Sequence, residues 1–255
     1  MKVQQLGPTA RLAPYVKRVL VLEHDELLIP FALPLFANGS PTLLFTSVRG
    51  QIGENKTTHL TLFGQTVLPE TLTLPAHFLL IAYFLKPSIL LPVFGVPPIE
   101  LTDKPIDLHL LAPRRTLELQ ERLLHSGSSE NCLALLDDYI AGLAAVAETE
   151  NSPMTYAADQ IAARTAPTIL TTIQKELHIT ERTFQRQFEK HIGLTPNQYR
   201  RVCQFHNAFQ QLNQERSGKL TDIAFRHGYA DQSHYIRAFR EFTHITPKDY
   251  LNFGA

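Results

Sequence analysis

Two short segments near the C-terminal end of the 255-residue chain have aromatic residues at the spacing of a buried helix face. The same segments carry side chains that suit base recognition. They read "HITERTFQRQF" and "GYADQSHYIRAF". Phe184 and Phe188 in the first, and Tyr235 and Phe239 in the second, are four residues apart, which predicts two helices with one buried face each. Arginine forms paired hydrogen bonds with guanine and glutamine with adenine, each worth about 1–3 kcal/mol of discrimination. The pattern therefore indicates two candidate nucleic-acid-reading helices.

Helical spacing turns one set of side chains away from these aromatic residues. An apolar member of the set, Ile236, would suit contact with a thymine methyl group. A solvated helix face is the alternative for every single residue, because polar side chains are common on surfaces. The candidate base contacts are Arg182, Gln185 and Arg186 in the first helix, and Gln232, Ser233, Ile236 and Arg237 in the second.

Phosphate contacts are expected from helix N-termini and from basic side chains nearby. His234 could instead pack beside Tyr235 or be exposed, and Arg200 or Arg201 could equally form a surface ion pair. The candidate phosphate contacts are Thr180, Thr195, Asn197, Arg200, Arg201, His234 and Lys248.

The two helices belong to an internal repeat of 51 residues. "LTPNQY" at 194–199 recurs as "ITPKDY" at 245–250, and Arg186 falls on Arg237. Each unit predicts a helix, a tight turn, a second helix and a capped third helix, which is helix-turn-helix spacing. Two copies favour this reading over a helical solenoid. The helix predicted at 196–214 would span roughly 28 Å, close to the ~34 Å between successive major grooves on one side of DNA.

The repeat occupies the last of three predicted segments: an N-terminal β domain (1–112), a helical linker or dimerisation segment (113–150) and an all-α domain (151–255). Short apolar runs with turn residues between 15 and 90 predict an antiparallel barrel or sandwich. The 3.6-residue period predicts helices at 114–125 and 129–148. The latter could pack on the barrel or form a dimer seam. A junction is predicted at "TENSP" (149–153). Further helices are predicted near 154–165, 168–177, 181–191, 196–214, 219–227, 231–242 and 247–252.

Charge divides the chain, although its formal net charge is zero. Residues 1–150 hold 11 Lys and Arg against 15 Asp and Glu, whereas residues 151–255 hold 13 against 9. A basic C-terminal part fits a phosphate partner. The two cysteines predict no disulfide framework, and no apolar run predicts a signal peptide or membrane span. We therefore expect a cytoplasmic protein.

Residues 153–253 resemble the DNA-binding domain of the AraC/XylS family of bacterial transcription regulators. "LHITERTFQRQFEKHIGLTPNQY" and "LTDIAFRHGYADQSHYIRAFREFTHITPKDYL" carry the resemblance. It implies double-stranded DNA at a promoter or operator as the partner, and RNA polymerase and a second copy of the chain as further candidates. "LAPYVKRVLVLE", "LFGQTVLP" and "FLKPSILLPVFGVPPIELTD" are similar, more weakly, to a cupin-like sensor domain. The chain departs from the family at Gln204, where an arginine is usual, and at His244, which replaces the first repeat's Gly193.

The predicted β domain lacks the residues of a metal or nucleophile site. His59 and His77 are isolated, "EHDE" at 23–26 suits a strand-end turn, and no GxSxG or phosphate loop occurs. We therefore expect no catalytic residue, metal or cofactor. The rival hypothesis is a small-molecule-binding or enzymatic cupin with a helical partner-binding tail. A barrel can bind an effector without catalysis. The candidate pocket residues, equally suited to a core, are Phe45, Phe63, Phe78, Tyr83 and Phe84.

Overall fold

A computed structural model describes residues 1–25, 30–75, 77–147, 152–215 and 218–253. It has an N-terminal domain of antiparallel sheets with helices and a C-terminal helical domain, which confirms the predicted fold class. Most of the predicted "TENSP" junction and the last residue of "EHDE" lie outside the described residues.

Two antiparallel sheets form the N-terminal domain. One has the strand order β1-β2-β9-β4-β7-β10, and the other β3-β8-β5-β6. The strands are β1 (Lys2–Leu6), β2 (Val16–His24), β3 (Phe31–Leu35), β4 (Thr42–Thr46), β5 (Gln51–Ile52), β6 (Asn55–Lys56), β7 (Leu60–Phe63), β8 (Glu70–Leu74), β9 (Phe78–Leu85) and β10 (Ile106–Asp107).

Strand β2 shows how the larger sheet is buried on both sides. Successive side chains of a strand point to opposite faces. Leu20 and Leu22 face the second sheet, whereas Val19 and Val21 join the cluster on the outer side. Burial of both faces explains why β9, paired with β2 and β4, is almost entirely apolar.

Helices cover the outer side of this sheet. They are α1 (Leu90–Phe94), α2 (Pro113–Leu124) and α3 (Ser129–Ala144), with 3-10 turns at Pro87–Ile89, Pro98–Leu101 and Leu108–Leu110. Helix α3 buries Leu136 and Ile140 in the cluster that contains the sheet residues. Tyr83 Oη on β9 donates to Asp137 Oδ1 at 2.6 Å and to Leu133 O at 3.2 Å. Helix α3 therefore packs on the sheet, which is one of the two roles left open by the sequence, and the dimer seam stays a prediction.

The C-terminal domain consists of helices throughout its described residues. Their bounds agree with the sequence-based bounds within two residues, because the capping signals are local. They are α4 (Pro153–Ala163), α5 (Thr168–Glu176), α6 (Glu181–Ile192), α7 (Pro196–Gln214), α8 (Leu220–Arg226), α9 (Gln232–Thr243) and α10 (Pro247–Phe253). One apolar cluster joins both halves of the repeat.

The two domains touch where α6 ends. Gly193 has φ +89°, and a Cβ there would lie 2.8 Å from Pro98 O in the N-terminal domain. Thr102 Oγ1 donates to Gly193 O at 2.9 Å. Glycine is therefore required both for the left-handed backbone and for this close approach. At the equivalent position of the second unit, His244 ends α9 with φ +63°. It is exposed, and a non-glycine residue in that conformation costs about 1–2 kcal/mol.

Among the described residues, no helix combines the length and apolarity that a membrane crossing needs.

Candidate nucleic-acid interface

Helices α5 and α6 form one helix-turn-helix unit, and α8 and α9 form the other. Phe184 and Phe188 are at most 1% exposed and contact each other edge to face. Tyr235 and Phe239 are 0% exposed and make the equivalent contact. The predicted aromatic anchors therefore hold α6 and α9 to the domain, and the opposite faces of both helices remain outside the core.

Each of these helices begins at an N-cap that satisfies its first turn. Thr180 Oγ1 accepts from Thr183 N at 3.3 Å, and Asp231 Oδ1 accepts from His234 N at 2.7 Å. The helix that connects the units, α7, starts with a full capping box between Thr195 and Gln198. Caps of this kind fix where a helix starts, and therefore which side chains its first turn presents.

The predicted base contacts lie mainly on the surface. Arg182, Gln185 and Arg186 of α6 are exposed, as are Ser233 and Arg237 of α9. No carboxylate among the described residues pairs with any of these three arginines. Three cations are therefore available to an external anion or base.

Two of the predicted base contacts are half-buried. Gln232 Oε1 accepts a hydrogen bond from Thr221 Oγ1 at 2.9 Å, which ties the start of α9 to α8. Ile236 lies one turn further along α9. The side-chain amide nitrogen of Gln232 keeps its donor capacity in this arrangement.

The clefts beside the two helices differ. Arg186 lines a cleft of about 1080 Å³ whose far wall is Ile89 and Pro92 of the N-terminal domain. Arg237 lines a cleft of about 300 Å³ between the units, with Pro167 on the opposite side. The N-terminal domain therefore borders the cleft beside α6, whereas the described residues that line the cleft beside α9 all belong to the C-terminal domain.

The predicted phosphate contacts divide into exposed and engaged side chains. Thr180, Asn197 and Lys248 are exposed, and Thr195 is half-buried at its cap. Arg201 pairs with Glu241 at 2.5 Å, which is the ion pair left open by the sequence.

Two further predicted phosphate contacts, His234 and Arg200, contact other residues of the C-terminal domain. His234 contacts the ring of Tyr229 edge-on, with centroids 5.2 Å apart, and its side chain is exposed. Arg200 is only 9% exposed, and its guanidinium donates to Thr165 O at 2.8 Å. In this structure Arg200 is directed into the domain rather than toward an external phosphate.

The comparisons with known proteins agree with this geometry. The chain matches a helix-turn-helix domain family over residues 173–252. Residues 4–107 match a family described as a domain of unknown function, DUF6597. The HTH-type transcriptional activator RhaS of Salmonella newport is 30% identical over 77 residues, and RhaS of Salmonella dublin is equally similar. These matches support the resemblance of the C-terminal region to the AraC/XylS family.

The match with the curated relatives covers only a part of this chain. The match with RhaS spans 30% of this chain and 27% of RhaS, about a quarter of the relative's length. The similarity to solved structures extends further. ToxT of Vibrio cholerae has a TM-score of 0.54 at 10% identity, and covers 99% of this chain and 98% of its own. A second ToxT structure, described as bound to an unsaturated fatty acid, has a TM-score of 0.50 at 11% identity, with coverage of 98% and 93%. At these identities the likeness concerns the fold.

A cavity of about 390 Å³ lies between the two domains. Its walls include apolar side chains of both sheets, such as Leu44 of the larger sheet and Leu72 of the smaller one. His206 and Phe209 of α7 line it from the C-terminal domain. A ligand in this cavity would therefore contact the helix that joins the two helix-turn-helix units.

Two of the predicted pocket residues, Phe63 and Phe84, line this interdomain cavity. Phe45 and Phe78 line a separate open cleft beside α3, and Tyr83 is completely buried against that helix. The five aromatic residues are therefore not gathered at one place.

Sequence reasoning missed two cationic or titratable residues of the cavity, Arg18 and His206. Arg18 lies over the Phe84 ring at 3.8 Å, and no carboxylate among the described residues pairs with it. Burial, with the charges of Arg18 and Lys17, lowers the pKa of His206 to about 4. Side chains two residues apart on a strand share a face, so Leu20 could have indicated that Arg18 faces the cavity. No local signal in the sequence places His206 beside Arg18.

The described residues contain no group of three or more His, Cys, Asp or Glu side chains that could hold a metal ion. Cys132 and Cys203 are both buried, and burial raises the pKa of each thiol.

Proposed function

We propose that this protein is a sequence-specific DNA-binding transcription regulator that reads two adjacent major grooves. The observation that carries the proposal is the duplicated helix-turn-helix unit with Arg186 and Arg237 at equivalent positions of α6 and α9, each exposed and without a carboxylate partner in the described part of the chain. The 19-residue helix α7 between the units supports the two-groove arrangement, since its length of roughly 28 Å approaches one turn of DNA. The helix-turn-helix family match and the similarity to RhaS, an activator, support the same function.

Selection of binding sequences from a random duplex library by the full-length protein tests this proposal. We expect an operator with two sequence-specific half-sites about one helical turn apart. Affinity should fall steeply with salt, because contacts to several phosphates release counterions. Recovery of no sequence preference, or binding that does not respond to salt, would contradict the proposed function.

We infer further that the cavity between the cupin-like N-terminal domain and the C-terminal domain binds an effector. An apolar cavity with the Arg18 guanidinium at its wall, where no carboxylate of the described residues pairs with it, suits an amphipathic monocarboxylic acid. The fatty-acid-bound state of ToxT supports this ligand class for the present chain. Helix α7 contributes His206 and Phe209 to the cavity. A bound acid would therefore favour the arrangements of the two helix-turn-helix units in which the cavity fits the acid best.

The effector proposal predicts a pH-dependent affinity. His206 is neutral near pH 7 in the free protein because its pKa is about 4. A carboxylate bound nearby stabilises the protonated imidazole and raises that pKa, so binding takes up protons and strengthens as pH falls. With palmitoleate as the probe, we expect calorimetry to show affinity that rises as pH falls through the bound-state pKa toward the free-state value of about 4. Measurements from about pH 7 down to about pH 5 precede most of the acid's own titration.

Two variants separate the parts of this prediction. His206→Gln should flatten the pH profile and retain binding, whereas Arg18→Gln should weaken palmitoleate binding by about tenfold or more, the scale of one hydrogen bond to a charged group. Palmitoleyl alcohol, which lacks the carboxylate, should bind both proteins with a flat pH profile. A profile that His206→Gln leaves unchanged would exclude His206 as the linked group.

A further inference from the structure

The inner face of α7 carries two buried polar side chains one helical turn apart. Arg200 is 9% exposed and Gln204 is 6% exposed. Polar groups this deeply buried are costly unless they are hydrogen-bonded. Their partners therefore indicate what the side chains hold in place.

The partners lie in both helix-turn-helix units. Arg200 Nη1 donates to Thr165 O, just before α5 of the first unit, at 2.8 Å, and to Gln204 Oε1 at 3.2 Å. Gln204 Nε2 donates to His227 O, in the turn of the second unit, at 2.9 Å. We call the pair Arg200 and Gln204 the inter-unit strap. It forms a continuous hydrogen-bonded path from one unit, across α7, to the other.

Glutamine at position 204 is suited to both halves of this path. Its carbonyl oxygen accepts from Arg200 while its amide nitrogen donates to His227 O. An arginine at position 204 has no acceptor and would place a second cation beside Arg200, so it could not make the first contact. The departure from the family pattern at Gln204 is therefore matched by its surroundings.

The turn of the second unit has another attachment to the same helix. His227 Nε2 and Gln211 Oε1 are 2.7 Å apart. Apolar packing between helices is non-directional, whereas hydrogen bonds specify angle and distance. The polar contacts therefore restrict how far the second unit can slide or rotate along α7.

We propose that the inter-unit strap fixes the separation of the two reading helices and thereby selects the spacing between the half-sites of the operator. The proposal rests on the proposed reading of two grooves. One inserted base pair moves a half-site by about 3.4 Å and rotates it by roughly a tenth of a turn. Units held rigidly relative to each other cannot follow both changes, so Gln204 acts as a positioning residue for spacing selectivity.

The test uses full-length protein and the operator selected by the wild type, with one base pair added to or removed from the spacer. Gln204→Met keeps a side chain of similar length without either hydrogen bond. We expect the wild type to lose about tenfold in affinity for each altered spacer and Gln204→Met to lose about threefold or less. Affinity for an isolated half-site should remain within about twofold of wild type, which a general loss of structure would not allow.

Gln210→Leu is the matched control, because Gln210 is exposed on the same helix. It should keep the wild-type spacing profile. Gln204→Glu provides a second variant: it can accept from Arg200 but cannot donate to His227 O, so it too should relax the profile, and it carries the test if Gln204→Met fails to fold. An unchanged spacing profile in the folded variants overturns the strap proposal. A wild type that binds the complete operator no better than one half-site overturns the two-groove function itself.

Discussion

Arg186→Ala and Arg237→Ala are each expected to weaken binding to the selected operator by about 5- to 150-fold. A paired hydrogen bond to a base is worth about 1–3 kcal/mol, and each of these arginines is exposed without a carboxylate partner among the described residues. Because the two residues occupy equivalent positions of separate units, each change should relax base preference in a different half-site. Repeating the selection with each variant measures that preference directly.

Arg114→Ala is the control for a lost positive charge, since its side chain is 93% exposed on α2 of the N-terminal domain. It should leave both affinity and base preference unchanged. A uniform loss of affinity with base preference intact would identify Arg186 or Arg237 as a phosphate contact. The proposed base contacts are wrong if both variants retain the wild-type preference.

Phe205→Ala should destabilise the C-terminal domain by about 3–5 kcal/mol, the usual cost of deleting a buried aromatic side chain. Phe205 is 0% exposed in the middle of α7. The centroid of its ring lies 4.9 Å from the ring centroid of Phe242 and 5.7 Å from that of Phe239, and both of these residues are in the second unit. Removing it leaves a cavity where the connecting helix meets the second reading helix.

Urea denaturation followed by helical circular dichroism measures this loss. Phe225→Ala is the matched control, because Phe225 is 61% exposed on α8 and its truncation should change the free energy of unfolding by no more than about 0.5 kcal/mol. We also expect Phe205→Ala to lose operator affinity as the second unit loosens. Equal effects of the two truncations would contradict the assignment of Phe205 to the shared core.

The inter-unit strap and the aromatic core make separable predictions. Loss of Phe205 lowers stability and affinity together, because the core holds both units. Loss of Gln204 should change mainly the dependence on half-site spacing. Measuring both quantities for both variants distinguishes positioning from general stabilisation.

The helical domain could be predicted closely because its signals are local. Thr–Pro caps and aromatic pairs at i,i+4 lie within a few turns of the residues that they organise, and the 51-residue repeat shows the same local signals twice. The β domain was less predictable at its edges. β1 (Lys2–Leu6) is polar and mostly exposed, and β3 contains Pro34, which is tolerated because β3 lies at the edge of its sheet.

The sequence by itself determined the two helix-turn-helix units and most of the exposed side chains on their outer faces, since each depends on spacing within one segment. Only the tertiary structure decided the inward orientation of Arg200, its link through Gln204 to His227 O, and the meeting of Arg18 with His206 at one cavity. Arg18 and His206 belong to different domains, and their proximity depends on how a sheet and a helix pack. Periodicity reports which face of an element is buried, but it does not report which distant element covers that face.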